Sequence, residues 1–100
     1  MGLTTKQSAD GDEVLIEVEG RFDFHMHADF KDIYNNLPSS ARFIIDLAKT
    51  TFIDSSAMGM LLLLREYVGG NTNNIRIINS TEEVRKALSI SNLDKLFSVE

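Results

Sequence analysis

The sequence FIIDL at Phe43–Leu47, followed by TFIDSSAMG at Thr51–Gly59, decides the fold of this chain. The first segment is apolar without alternation, which is typical of a central strand that is covered on both faces. A polar turn is predicted next, and then a helix that begins at Ser55 and ends near Val68, before two glycines. This order of strand, turn and helix places an acidic residue and a hydroxyl together at a helix N-terminus.

The pair Asp54 and Ser55 at this N-terminus supports two interpretations. Backbone N–H groups without helical partners and the positive end of the helix dipole would accommodate a phosphate on Ser55. Asp and Ser are also the residues that most often cap helices, so the same pair is explained by capping alone. The residue types by themselves leave both interpretations open.

Three elements are predicted before this stretch. Val14–Val18 has apolar side chains at every second position, which predicts a half-buried strand. Leu3–Gln7 is its candidate partner strand, joined to it by a hairpin turn at Asp10–Asp12. His25–Leu37 has apolar residues at helical spacing and is followed by Pro38, so an amphipathic helix is predicted there.

Three further elements are predicted after it. Ile75–Ile78 forms the next strand, beyond a loop at Asn71–Asn74. Ser80 and Glu83 have the spacing of a capping box at the start of a helix. The buried side of that helix carries Val84, Ala87 and Leu88. Leu96–Val99 is predicted to be an edge strand. The alternation of strands and helices predicts a single α/β domain over residues 1–100, with helices packed against a mixed, mainly parallel β-sheet.

Composition and charge exclude several classes of function. The formal net charge is −5 and the basic residues are dispersed, which argues against nucleic acid or an anionic membrane as the main partner. The chain has no cysteine, so disulfides and thiol chemistry are excluded. No apolar run reaches the roughly 18 residues of a membrane span, and the first residues have no apolar signal core. We therefore expect a cytoplasmic protein without membrane insertion.

Candidate catalytic groups are few. His25 and His27 suggest a metal site, but at a helix start their side chains point about 200° apart, so exposed histidines are the simpler interpretation. Ser55 and one of these histidines could belong to a catalytic triad, although no nucleophile-elbow motif is present. Phosphate-binding and dinucleotide-binding glycine motifs are also absent from the sequence. We expect no enzyme activity, no cofactor and no bound metal.

The helix after Ser55 is apolar on nearly every side between Met58 and Val68. Such a helix is either buried in the centre of the domain or covered on one side by a partner. A chain of 100 residues cannot easily bury a whole helix, and methionine suits an adaptable binding surface. Both interpretations predict a covered helix, and they differ in what covers it.

The whole chain resembles the STAS domain family, and in particular the small bacterial anti-sigma factor antagonists. Gly20–Asp23 resembles the family's Gly-x-hydrophobic-Asp element, and Ile45–Leu47 with Phe52–Gly59 resembles its strand and phosphorylation motif. Residues 80–97 resemble its last helix and the following turn. The resemblance implies that Ser55 is the phosphoacceptor, and Ala57 stands where the family usually has glycine. The implied partner-binding residues are Asp23, Asp54, Ser55, Ser56, Ala57 and Met58.

The function implied by this resemblance is a protein-binding switch that controls transcription. The unphosphorylated form would bind an anti-sigma factor, often a serine kinase, and free a sigma factor, and phosphorylation at Ser55 would block binding. The implied partners are that kinase and a PP2C-type serine phosphatase. A different class is the runner-up: a STAS accessory subunit of a membrane transporter, or a scaffold component, without a phosphoswitch. A small enzyme with Ser55 as nucleophile is a third alternative.

Overall fold

The computed structural model describes residues 2–70 and 74–100. These residues form six strands: β1 (Gly2–Gln7), β2 (Glu13–Phe22), β3 (Arg42–Asp46), β4 (Thr50–Ile53), β5 (Ile75–Ile78) and β6 (Ser98–Val99). They also form three α-helices: α1 (His27–Asn35), α2 (Ser55–Tyr67) and α3 (Glu82–Ile90). Except for Asn74, the predicted loop at Asn71–Asn74 lies outside the described residues. The predicted order of elements is confirmed, with β4 as an additional strand.

The six strands form one mixed sheet in the order β1-β2-β3-β5-β6, and β4 pairs with the end of β2. β1 and β2 are antiparallel and are joined by a turn at residues 8–12. Every other pairing is parallel. The predicted α/β fold with a mixed, mainly parallel sheet is therefore confirmed.

The segment predicted as a polar turn is in fact the short strand β4. Thr50 is buried, and its hydroxyl donates to the carbonyl oxygen of Val18 at 2.8 Å, which gives this polar side chain a partner inside the fold. β2 changes register at Gly20, whose positive φ of 89° suits glycine. The N–H of Gly20 donates to the carbonyl oxygen of Lys49 at 2.9 Å. The register shift lies within the pairing of β2 with β4, where Thr51 is the residue without a partner on β2.

The sheet buries one face much more completely than the other. Val14, Ile16 and Val18 of β2 are buried as predicted, and so are alternate residues of β3 and β5. The intervening side chains Leu15 and Ile44 are only half-buried. The prediction that β3 is covered on both faces is therefore wrong, because the buried core that includes α1 and α2 residues lies on one face.

Two helix starts differ from the prediction. α1 begins at His27, because a 3-10 turn at Phe24–Met26 precedes it. α3 is capped by Thr81, whose hydroxyl accepts the N–H of Val84 at 3.3 Å. The predicted capping box of Ser80 and Glu83 is therefore wrong, because Thr81 is the cap, the third helical residue is Val84, and Ser80 is buried. On the buried face of α3, Val84 and Leu88 are in the core as predicted.

Candidate functional site

The sheet brings Asp23 and Asp54 to the same edge of the fold. Phe22 and Ile53, the last residues of β2 and β4, are paired in parallel register. The backbone N–H of Asp54 donates to the carbonyl oxygen of Phe22 at 3.4 Å. Both aspartates follow these strand ends directly, so the turn before α1 and the start of α2 lie side by side.

Asp23 holds the turn that leads into α1. Its carboxylate accepts the backbone N–H of His25 at 3.0 Å, and the Nδ1 atom of His25 and the Nε atom of Arg21 lie 3.1 and 3.4 Å from it. The bond from the His25 N–H holds the pKa of Asp23 below its ordinary value, against the opposing effect of partial burial. The Asp23 side chain is only 14% exposed, so its first role is to cap this turn.

Asp54 caps α2 and leaves Ser55 as the first helical residue. The Asp54 carboxylate accepts the backbone N–H of Ala57 at 2.9 Å. Ser55 is exposed and Ser56 is half-buried, in agreement with their different directions on the helix. The N-terminus of this 13-residue helix therefore presents the Ser55 hydroxyl to solvent beside a carboxylate.

The other two residues of the predicted surface differ from each other. Ala57 is 0% exposed and belongs to the core, so it offers no side-chain surface to a partner. Met58 is half-buried and packs against the core. The exposed part of the predicted surface thus consists mainly of Ser55 with its immediate neighbours.

The chemical capacity of this edge follows from its electrostatics. N–H groups in the first turn of α2 and the helix dipole favour a negative charge at Ser55. Asp54 and Asp23 add negative charge nearby, so a phosphate there would make a strongly anionic surface.

Two exposed aromatic residues of this edge, Phe24 and Phe52, were not predicted from the sequence. Phe24 is 65% exposed and stacks on His27 with a ring-centroid distance of 5.3 Å. Phe52 is 40% exposed, and the guanidinium carbon of Arg21 lies 4.2 Å from the centre of its ring. The sequence signal for Phe52, its alternation with the buried Ile53, applies only once this segment is known to be the strand β4. These aromatic side chains give the acidic edge an apolar component.

The exposed side of α2 continues from Ser55 along the helix. Leu62 and Leu63 are 38% and 48% exposed, whereas Leu61 and Leu64 are fully buried. Central burial therefore explains one side of the helix only. The two exposed leucines fit the interpretation in which a partner covers the other side.

The structure places the histidines apart from any metal-binding cluster. The His25 side chain is 94% exposed and contacts Asp23, while His27 stacks on Phe24. Nowhere in residues 2–70 and 74–100 do three or more His, Cys, Asp or Glu side chains form a group that could hold a metal ion. Over the same residues, no helix has the length and apolar character needed to cross a membrane.

Comparison with known proteins assigns the family. The family model described as "Mlab, STAS domain" matches residues 5–98. A STAS-domain containing protein of Pseudomonas aeruginosa (strain UCBPP-PA14) is 47% identical over 100 residues, which cover 99% of each chain.

Solved structures agree on the fold. An anti-sigma factor antagonist from Mycobacterium paratuberculosis superposes with a TM-score of 0.76 at 19% identity, over 98% of this chain and 85% of that one. The Bacillus cell fate determinant SpoIIAA in its phosphorylated form gives a TM-score of 0.67 at 17% identity, over 99% of this chain and 91% of that one. At these identities the likeness concerns the fold, whereas the family model covers nearly the whole chain. The chain belongs to the STAS domain family.

Proposed function

We propose that this protein is an anti-sigma factor antagonist that works as a phosphorylation-controlled binding switch. Its unphosphorylated form binds an anti-sigma factor, in many systems itself a serine kinase, and thereby frees a sigma factor. Phosphorylation of Ser55 blocks that binding. The observation that carries the proposal is the exposed Ser55 hydroxyl at the first position of α2, directly after the capping Asp54.

Electrostatics support the direction of this switch. A phosphate adds about −1.5 to −2 charges near neutral pH. It would stand beside Asp54 and near Asp23, on a chain whose net charge is already −5. A partner that covers this edge must remove water from the phosphate, and a cost of about 1.4 kcal/mol already weakens binding tenfold.

The proposal assigns the chemistry to the partners. A serine kinase transfers the phosphate and a PP2C-type phosphatase removes it, so ATP and metal belong to those enzymes. The chain itself acts as a cytoplasmic binding protein and needs no cofactor. The proposed contact region comprises Asp23, Asp54, Ser55, Ser56 and Met58, and we include in it Phe24 and Phe52 because their side chains are exposed.

Intact mass of the protein from its own cell tests phosphorylation without knowledge of the partner. We expect a species heavier by one phosphate that disappears after phosphatase treatment and is missing in Ser55→Ala. If the added mass survives in Ser55→Ala and is lost in Ser56→Ala, the acceptor is Ser56. A single unmodified mass under all growth conditions would favour the transporter subunit or scaffold.

Titration calorimetry against the anti-sigma factors of the same cell tests binding. We expect wild type, Ser55→Ala and the control Ser89→Ala, at an exposed position of α3, to bind one of them with similar affinity, and Ser55→Asp to bind at least about tenfold more weakly. Equal affinity of wild type and Ser55→Asp would refute the switch.

A further inference from the structure

One side of α2 remains uncovered by the rest of the domain. At about 100° per residue, Ser55, Gly59, Leu62 and Glu66 lie within an arc of about 60°. The opposite side carries the fully buried Leu61 and Leu64. The uncovered side is apolar at its centre, where Leu62 is 38% exposed, and charged at its end, where Glu66 is exposed.

Gly59 lies in the middle of this side, and the domain itself does not require glycine there. Its φ is not positive, and a Cβ built on it meets no atom within 4 Å. Alanine would therefore fit, and it is the better helix former. Glycine in such a position allows another backbone to approach the helix closely, between the exposed Ser55 and Leu62.

Charge disfavours a second copy of the chain as the occupant. If two α2 helices paired antiparallel about Gly59 and Leu62, Glu66 of each copy would face the Asp54 end of the other. If they paired in parallel, Glu66 would face Glu66. Parallel pairing opposes like charges, antiparallel pairing places Glu66 near the Asp54 carboxylate, and both arrangements bring together two chains with a net charge of −5. A partner with basic residues has the complementary charge.

We propose that this side of α2 binds an amphipathic helix of the partner protein. The backbone of that helix crosses α2 over Gly59, its apolar side chains contact Leu62 and Leu63, and a Lys or Arg pairs with Glu66. The identity of the partner and the effect of phosphate rest on the proposed function. Ser55 lies one turn before Gly59, so a phosphate on it stands in the path of the crossing helix and prevents the close approach.

A photoreactive residue in the full chain, inside its own cell, tests this docking site. p-Benzoylphenylalanine replaces Leu63 at the margin of the crossing, and in a matched control it replaces Ile90, an apolar residue of α3 that is 72% exposed. We expect the Leu63 position to form at least about tenfold more adduct than the Ile90 position. The cross-linked peptide should come from a helix of another protein that carries Lys or Arg.

Two substitutions at Gly59 test the crossing itself. Gly59→Ala should raise the melting temperature of the free protein and lower adduct formation at Leu63. Gly59→Leu should lower adduct formation at Leu63 at least about tenfold. No excess of adduct over the Ile90 control, an adduct with a second copy, or an adduct that both Gly59 variants retain would refute the proposal. Loss of adduct in Gly59→Leu with retention in Ser55→Asp would support the docking site and refute the phosphoswitch.

Discussion

Asp54 donates its backbone N–H to the carbonyl oxygen of Phe22 at 3.4 Å, and this bond joins the start of α2 to the end of β2. The residue after Phe22 is Asp23, which caps the turn before α1. Each aspartate therefore caps a different segment, and the bond from the Asp54 N–H to the Phe22 carbonyl oxygen holds the two segments next to each other. A change at Ser55, which lies outside this set of bonds, should alter the surface and leave the edge intact.

Replacement of Asp54 by alanine should destabilise the fold through the loss of the α2 cap. The carboxylate accepts the N–H of Ala57 at 2.9 Å, and the loss of such a cap costs about 0.5–2 kcal/mol. In a domain of this size, each kcal/mol lowers the melting temperature by roughly 4–8 °C. Thermal unfolding followed by circular dichroism measures this difference.

Asp54→Ser is the matched control for the cap, because serine also accepts an N–H bond at this position. We expect it to recover most of the lost melting temperature. Equal melting temperatures for wild type and Asp54→Ala would show that the carboxylate contributes nothing to the start of α2.

Phe24 and Phe22 should respond in opposite ways to truncation. Phe22 is fully buried and lies 5.6 Å from the Phe30 ring, so Phe22→Ala should cost about 3–5 kcal/mol, a large part of the total stability. Phe24 is 65% exposed, and Phe24→Ala should change stability by no more than about 0.5 kcal/mol. Urea denaturation measures both values.

The variants Phe22→Ala and Phe24→Ala also distinguish an effect on folding from an effect on partner binding. If Phe24 belongs to the partner surface, Phe24→Ala weakens binding in calorimetry although its unfolding curve matches wild type. A Phe24→Ala variant that unfolds as readily as Phe22→Ala would place Phe24 in the core and remove it from the surface.

The sequence was a good guide wherever a single periodicity dominated. The alternation in Val14–Val18 predicted β2 with its correct buried face, and the helical spacing after His25 predicted α1. β4 was missed because Thr50–Ile53 is short and begins with two threonines, and the buried role of Thr50 depends on Val18, a residue distant in sequence. Local pattern cannot reveal such a partner.

At the candidate edge, too, local features were predicted from the sequence and features that depend on distant residues were missed. Asp54 and Ser55 were found from their order along the chain, since caps are local features, whereas Asp23 was named through the family resemblance. Phe24 and Phe52 were missed because an isolated phenylalanine usually indicates core. Only the turn after Asp23 and the pairing of β4 place their rings at the surface.

Asp23 should make the fold sensitive to acid. Its pKa is held below the ordinary value in the folded state, chiefly by the N–H of His25, so the unfolded chain takes up a proton more readily. The resulting stabilisation is present above the unfolded-state pKa of about 3.9 and is lost as pH falls through the lower folded-state value. Asp23→Asn, which keeps the acceptor oxygen without the charge, removes this contribution.

Melting temperatures of wild type and Asp23→Asn between pH 7 and pH 2 give the readout. The excess of the wild-type melting temperature over that of Asp23→Asn should be constant near neutral pH and shrink steadily below about pH 4. A difference that stays constant across this range would mean that the charge of Asp23 makes no contribution.

A negative charge at Ser55 should leave the free protein as stable as before, or more stable. Position 55 is the first residue of α2, where the helix dipole favours an anion by about 0.3–1 kcal/mol. Repulsion from Asp54 reduces this gain, so the informative comparison is Ser55→Asp with Ser55→Lys, which reverses the charge at the same exposed position. We expect Ser55→Asp to melt at the higher temperature.

The dependence on salt concentration shows whether the difference in melting temperature between Ser55→Asp and Ser55→Lys is electrostatic. At about 1 M salt the screening length falls to about 3 Å, so a difference caused by the helix dipole should largely disappear. If Ser55→Lys is the more stable variant at low salt, repulsion from Asp54 and Asp23 outweighs the dipole, and a phosphate would strain the edge. If Ser55→Asp is the more stable one and still fails to bind its partner, the negative charge acts on the partner surface and not on the fold, as a phosphoswitch at Ser55 requires.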